Sequence, residues 1–424
     1  MKKNSRAFST LGSIAALSLI LAACGTSSGG TDGNSSTGGS DAGGSEDPIR
    51  VGGTLALSGP LAATGEIHRL AGEQYVEWLN DNGGLLGREV EWVLLDDESN
   101  PQTSAAAYNR LISQENVDLL IGPYGTANIT AAMDVAERNE MVFPQHSATL
   151  TYAYDYDRHF PLFASGIDSS RTVSETIFDA YAELADEAPQ TVGFVVNQNP
   201  ATDFIAHGHE DAPGSVQVAQ ERGLDVVLEV DFPQGNTDWG PIAQRIKDAD
   251  PDLLWVGALG GDSPALLAAL SQIGWEPRHQ FHLFPAPGLL LGAGEVAEGA
   301  TSTTLYEPQE PYLSFEGGQD VSEMFTAAAE EAGLPYAVAE MQAGLSWATW
   351  QTITAGVEGA GSLDQGEIAD YLVNNSIETV LGEIDFDPEQ NNYYGDLVAI
   401  KQIQDGEFTV VYPADKTADG TTIN

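Results

Sequence analysis

The sequence predicts an α/β fold: two αβα lobes of similar size, each built on a parallel sheet covered by helices. Two observations carry this. From residue 49 onward, apolar runs of strand length alternate with helical stretches. The alternation then stops and restarts near residue 191, so the pattern recurs without any short-period sequence repeat. Residues of the hydrophobic class make up 42% of the chain, enough to bury real cores and to exclude disorder throughout.

The chain opens on a basic start (Lys2, Lys3, Arg6) and an apolar stretch over residues 11–23. That stretch is too short for a comfortable membrane span and reads as a secretory signal over residues 1–23. It ends in Leu21-Ala22-Ala23-Cys24-Gly25, which looks like a bacterial lipoprotein processing box. Cys24 is the sole cysteine of the 424 residues, so a disulfide framework and a multi-cysteine metal site are both excluded. Acyl chains on Cys24 would hold the protein on the outer face of a membrane by burying methylenes. Residues 24–48 are almost all Gly, Ser, Thr, Asp and Asn and read as a flexible tether.

In the body, strands are expected at residues 49–57, 90–95, 117–121 and 141–143, separated by helices at 66–80, 103–114 and 127–139. Asn82-Gly83-Gly84 closes the first helix, since Gly takes the left-handed C-cap without strain, and Asn100-Pro101 opens the second. The second series of strands is expected at 191–196, 226–231, 253–256 and 281–284, with helices between. Pro251 separates a helix from the third of these strands. Helices follow at 321–332, 338–357 and 365–373, then strands at 377–386, 397–403 and 408–412.

Charge narrows the function classes. The chain has 16 Lys+Arg against 63 Asp+Glu, a formal net charge of −47. Nucleic acid is excluded as a partner because counterion release needs clustered cations. No apolar run of spanning length follows the leader, so a polytopic membrane protein is excluded as well.

In open parallel sheets, ligands bind at the carboxyl ends of the strands, near a reversal of strand order. Three loops of the first lobe qualify: residues 58–65, 122–126 and 144–149. Small and hydroxyl residues dominate them, leaving N–H and hydroxyl groups at helix starts, which suits a carboxylate. The plainer alternative is that Thr126 and Ser147 only cap helices.

The chain resembles the extracytoplasmic solute-binding proteins of branched-chain amino acid and amide ABC importers (leucine/isoleucine/valine-binding-like). The carriers are Ala56-Leu57-Ser58-Gly59-Pro60 with Gly65, Gly72-Glu73, residues 82–87 (Asn-Gly-Gly-Leu-Leu-Gly) and 95–101 (Leu-Asp-Asp-Glu-Ser-Asn-Pro). Residues 375–382 with Phe386-Asp387 look like the family's closing segment. The likeness runs over about residues 49 to 413 and implies a type I periplasmic-binding fold with a three-segment hinge. It places the crossings near 166–168, 302–305 and 382–384. Lobe one is then 49–167 plus 305–381, lobe two 168–304 plus 382–413, with a tail at 414–424.

The resemblance implies capture of a small solute between the lobes and its delivery to a membrane permease driven by an ATPase. No chemistry, cofactor or metal is involved. Ligand-binding positions carried over are Ser58, Thr64, Tyr124, Gly125, Thr126, Gln145, His146 and Ser147 in lobe one, with Asp168, Thr202 and Leu259 facing them. The family's first-loop aromatic wall falls on Thr64 and a second-lobe aromatic on Leu259. The acid that would pair with an amino acid's ammonium falls near Ala286. Either Asp168, Asp203, Asp262 or Glu307 takes that part, or the solute is no ordinary α-amino acid. The family's disulfide positions hold Ser99 and Gly125, so that bridge is absent.

Other features carry less. His207-Gly208-His209-Glu210 lacks the partners a metal site needs. Tyr152, Tyr154, Tyr156 and Phe160 either lid an apolar ligand or pack on the hinge. Trp347 and Trp350 read as core. Residues 257–261, a glycine-rich loop after a strand, lack a dinucleotide fingerprint's spacing. The alternative to an importer component is a sensory module of the same fold signalling to a receptor or kinase.

Overall fold

The computed structural model describes residues 47–150, 154–163, 165–210, 212–418 and 420–424. The expected leader, Cys24, most of the tether and Tyr152 lie outside the described residues. Residues 46–424 form one compact unit, and no helix among the described residues is long and apolar enough to cross a membrane.

The first sheet is built on β1 (Ile49–Leu55), whose residues are all buried except Arg50. Strand β2 (Val90–Asp96) pairs parallel on one side, from Ile49 opposite Val90 to Leu55 opposite Asp96. Strand β3 (Leu119–Leu120) pairs parallel on the other. The order β2-β1-β3 places the first strand in the middle, so the chain reverses its winding between β1 and β3. Helices α1 (Ala62–Asp81), α2 (Pro101–Ser113) and α3 (Thr126–Arg138) make the crossovers. Asn100 caps α2, its side chain accepting from the amides of Gln102 and Thr103, with Pro101 in the first turn. Strand β4 (Phe143–Gln145) lies two residues later than the apolar run 141–143 suggests and pairs parallel with β5 (His159–Pro161).

Helix α1 starts four residues earlier than expected, so Thr64 and Gly65 sit in its first turn rather than in a loop. The reason lies in packing. A Cβ on Gly65 would stand 2.0 Å from the Ala56 carbonyl oxygen, so only glycine lets the helix start this close to β1.

The second sheet follows α4 (Ser169–Ala182). Its elements run β6 (Thr191–Asn197), α5 (Pro200–His207), the short antiparallel pair β7 (Gly208–His209) and β8 (Ala212–Pro213), and α6 (Ser215–Glu221). Then come β9 (Asp225–Phe232), α7 (Gly240–Ala249), β10 (Leu253–Gly260), α8 (Asp262–Gln272), β11 (His279–Pro285), α9 (Pro287–Leu291) and β12 (Thr301–Thr304). These strands are parallel in the order β12-β11-β10-β6-β9, so winding reverses again between β6 and β10. Residues 257–260, expected as a loop, belong to β10.

After β12 the chain forms α10 (Gly318–Ala332), α11 (Met341–Ala360) and α12 (Gln365–Asn374); α10 and α11 both pack on α1. Helix α11 is buried nearly all round, with the Trp347 and Trp350 rings about 1% exposed, which bears out their reading as core. Two of its buried hydroxyls are satisfied within the helix: Thr349 and Thr352 donate to the carbonyls of Leu345 and Ala348. The single strand expected at 377–386 is a hairpin, β13 (Ile377–Thr379) with β14 (Gly382–Ile384) pairing back on it. The chain then adds β15 (Ala399–Gln404) and β16 (Glu407–Tyr412), antiparallel, to the edge of the second sheet beyond β12.

Candidate functional site

Both winding reversals leave their strand ends beside a helix start, and the two helices concerned touch. Helix α3, after β3, packs against α5, after β6. A second contact joins α9 to the α10–α11 connection: a Cβ on Gly288 would stand 2.6 Å from Cβ of Tyr336. Ligands of open α/β sheets sit at such a crevice.

On the first side, Gly125 occupies the position before α3 with φ +88°, a left-handed value that favours glycine. Its N–H donates to the Ser147 hydroxyl at 3.2 Å, which ties the loop after β3 to the loop after β4. Neither hydroxyl therefore caps a helix side-chain fashion. Thr126 is the first residue of α3, 5% exposed, and its Oγ1 is buried with no hydrogen-bond partner. Two residues on, Asn128 donates to Asp97 Oδ1 at 2.9 Å, while Thr54 donates to Asp97 Oδ2 at 2.8 Å. Asp97 thus fixes the start of α3 to β1. Burial pushes its carboxyl up to about 6, against the pull of those donors.

Tyr124 is buried, and burial raises its phenol to about 12, while a hydrogen bond with Thr64 acts the other way. Thr64 therefore meets Tyr124 instead of forming an aromatic wall itself. Gln145 is wholly buried and consumed by its own loop: Oε1 accepts from the amides of Ser147 and Ala148 (2.9 and 2.8 Å), and Nε2 lies 3.0 Å from His159 Nε2. It shapes the loop and offers no free group. His146 is buried and stacks on His68 at 3.9 Å.

Ser58 is placed differently from the buried loop residues. It is exposed, and its hydroxyl donates to Asp96 Oδ2 at 2.7 Å, with its N–H 3.2 Å from Asp96 Oδ1. The loops after β1 and β2 are stitched together there, and Ser99 adds to the seam by donating to the Ser58 carbonyl at 2.7 Å.

On the second side, Thr202 lies fully buried in α5, its hydroxyl turned back to the Asn197 carbonyl at 2.7 Å. Leu259 is half-buried near the end of β10. Of the acids offered as ammonium partners, Glu307 is paired with Lys401 at 2.5 Å, and Asp203 is exposed and bonds His207 at 2.9 Å. Asp262 accepts from Asn197 at 2.8 Å, and burial raises its carboxyl. Asp168 stands before α4 with Oδ1 buried and without a partner, and burial raises it too. The aromatics Tyr154, Tyr156 and Phe160 pack internally: Tyr156 donates to the Met141 carbonyl at 2.6 Å, and Phe160 meets Phe386 edge-on at 5.0 Å. Among the described residues there is no group of three or more His, Cys, Asp or Glu placed to hold a metal ion.

Residues 48–407 match the model of the periplasmic binding protein family. The chain belongs to that family. This periplasmic binding protein is 23% identical over 347 residues to the Leu/Ile/Val-binding protein of Escherichia coli (strain K12), covering 80% of this chain and 87% of that one. Two solved structures share its type I fold. A branched-chain amino acid transporter substrate-binding protein from Streptococcus pneumoniae, in complex with isoleucine, has a TM-score of 0.68 at 18% identity, covering 87% of this chain and all of that one (100%). An ABC transporter solute-binding protein from R. palustris, in complex with benzoate, has a TM-score of 0.69 at 17% identity, covering 89% and 99%.

Two residues of this region escaped the sequence reading: His68 and Gln342. His68 had a signal, since it follows Thr64 by four positions and so shares its helix face. Gln342 had none, being 274 residues from the histidine it bonds.

Proposed function

We propose that this periplasmic binding protein is the solute-binding component of an ABC importer, holding a small carboxylate, amide or amino acid between its lobes and handing it to the membrane permease. The observation that carries the reading is the Thr126 hydroxyl: buried, unpartnered, and in the first turn of α3, a helix that packs against α5. A buried hydroxyl without a partner is costly, and a solute carboxylate would supply the missing bond while facing the positive end of the helix. Leu259 and Ala286 carry no charge, which suits an apolar solute body on the second lobe. Asp168 and Asp262 are the half-buried acids nearest in kind to an ammonium partner. The relatives bound to isoleucine and to benzoate span both solute types, with and without an amino group.

The lobes in this reading are the two sheets with their helices, the hinge running through the connections near residues 166–168, after β12, and after β14. Closure is favoured only as far as the solute binds the closed form better than the open one. The basic, apolar leader and Cys24 support a position outside the cell membrane, held by lipid through the tether. It performs no chemistry.

A thermal-shift panel of branched-chain amino acids, amides, urea and aliphatic and aromatic carboxylates tests the proposal. At a solute concentration 100 times Kd, stability rises by about 2.7 kcal/mol, which lifts the midpoint visibly. A flat response to every class would overturn the assignment.

A further inference from the structure

Behind the Tyr124 and His146 rings lies a layer that neither of their loops supplies. His68, in α1, is completely buried, and its Nε2 lies 3.0 Å from Oε1 of Gln342 in α11. An amide oxygen only accepts, so Nε2 carries the proton and Nδ1 is the lone-pair nitrogen. One side-chain contact thereby selects both the tautomer and the ring plane. That ring stacks on His146 with centroids 3.9 Å apart and 16° between planes, and lies 5.0 Å from the Tyr124 ring. Both imidazoles are neutral, because burial depresses His68 to about 3 and His146 well below its usual value. They can therefore stack without repulsion.

Gln342 is itself held. It is the second residue of α11, and its N–H donates at 3.1 Å to the Glu340 carboxylate that caps the helix. One turn further, Ser346 donates to the His68 carbonyl at 3.2 Å, so α11 grips α1 at the same residue through both backbone and side chain. The Nδ1 atoms of His68 and His146 are both buried without partners.

We propose that His68, oriented by Gln342, is a positioning residue of the solute site, setting the height and plane of His146 and Tyr124 and thereby which solutes the first lobe accepts. This rests on the binding role given above, with those two residues on the solute wall. A shift of about 1 Å in that wall changes fit for rigid solutes most, so loss of the layer alters the order of preference among solutes as well as the affinity.

The test uses the mature chain with Gln342→Leu, which removes the acceptor, and His68→Phe, which keeps a flat ring and loses the bond. Calorimetric titration covers every solute to which wild type responds. The expected result is at least a tenfold loss for Gln342→Leu with a changed order of preference, and partial recovery in His68→Phe, where stacking survives. Imidazole NMR of wild type gives a readout free of mutation. The expected result is one Nε2–H tautomer for His68, unchanged from pH 5 to 8, with His68 and His146 resonances shifting together on saturation. Affinities within twofold of wild type in both variants, or resonances of the two histidines unmoved by a saturating solute, would overturn the inference while leaving the binding role standing. A wild type that binds none of the panel fails the binding role itself.

Discussion

Lys401→Met should be among the most damaging single changes in this protein. Lys401, in β15, is 3% exposed, and its Nζ lies 2.5 Å from Glu307, itself 2% exposed, just after β12. The Glu340 carboxylate at the start of α11 lies 3.9 Å away on the other side. At an effective dielectric of about 20, the nearer contact is a gross attraction of roughly 7 kcal/mol and the farther one roughly 4 kcal/mol. Desolvation of three buried ions offsets most of this, so the intact cluster has little net worth. Removing the lysine is another matter, because it strands carboxylates that keep only neutral donors, Thr304 to Glu307 at 2.9 Å and the Gln342 N–H to Glu340 at 3.1 Å. The expected loss is about 3–5 kcal/mol. It should also depend on pH. Burial, ahead of the opposing pull of Lys401, raises Glu340 to about 7 in the intact protein, and removing the lysine raises it further, so at pH 5.5 Glu340 stays neutral and loses little, while at pH 8 the variant must strand its carboxylate or take up a proton. Urea unfolding followed by tryptophan fluorescence at both pH values is the assay. The loss should be larger at pH 8, and Lys401→Met with Glu307→Gln should regain part of it. A loss under about 1 kcal/mol at pH 8, or one no smaller at pH 5.5, would refute the reasoning.

Glu340 alone makes a second prediction. Its folded-state value is raised from 4.5 to about 7, so the folded chain holds the proton longer than the unfolded chain does. Its contribution is fully present below pH 4.5 and is lost as pH rises through 7, by on the order of 3 kcal/mol. Glu340→Gln should flatten that part of the stability–pH curve, as read by chemical denaturation. The buried histidines act with the opposite sign. His68, His159 and His282 are depressed by burial to about 3, so each loses stability as pH falls below 6.5, by about 2 kcal/mol at pH 5. His282→Phe should reduce the acid loss between pH 7 and 5 by about that amount. Gly72→Ala should destabilise by about 1–3 kcal/mol, since a Cβ there would stand 2.6 Å from the Trp92 ring and 2.9 Å from Trp350 Nε1; thermal unfolding reads this directly.

What the sequence disclosed and what it hid follow from the range of the forces involved. The parallel strands β1 and β6 were legible because burial on both faces favours apolar runs. Asn100-Pro101 marked the start of α2 for the same local reason, a cap followed by a fixed φ. The start of α1 was hidden because its N-cap is Leu61, with no capping side chain, and because Gly65 reads as a turn while serving a close approach to β1. The extra length of β10 was hidden by Gly257, which lies where a Cβ would stand 2.7 Å from the Trp255 ring. The loops at Thr126 and Ser147 were legible as loops from strand–loop–helix order. The bond of Ser58 to Asp96 was hidden because that partner lies 38 residues away. His68 with Gln342, and Lys401 with Glu307 and Glu340, join segments far apart in the chain, and no local pattern announces such pairs.

The most direct test is calorimetric titration of wild type and Thr126→Val with whichever solute stabilises the protein most. One molecule should bind per chain, and the valine variant, matched in shape but lacking the hydroxyl, should bind at least fivefold more weakly with its unfolding midpoint little changed. Undiminished binding by Thr126→Val, or several weak sites per chain, would contradict the account.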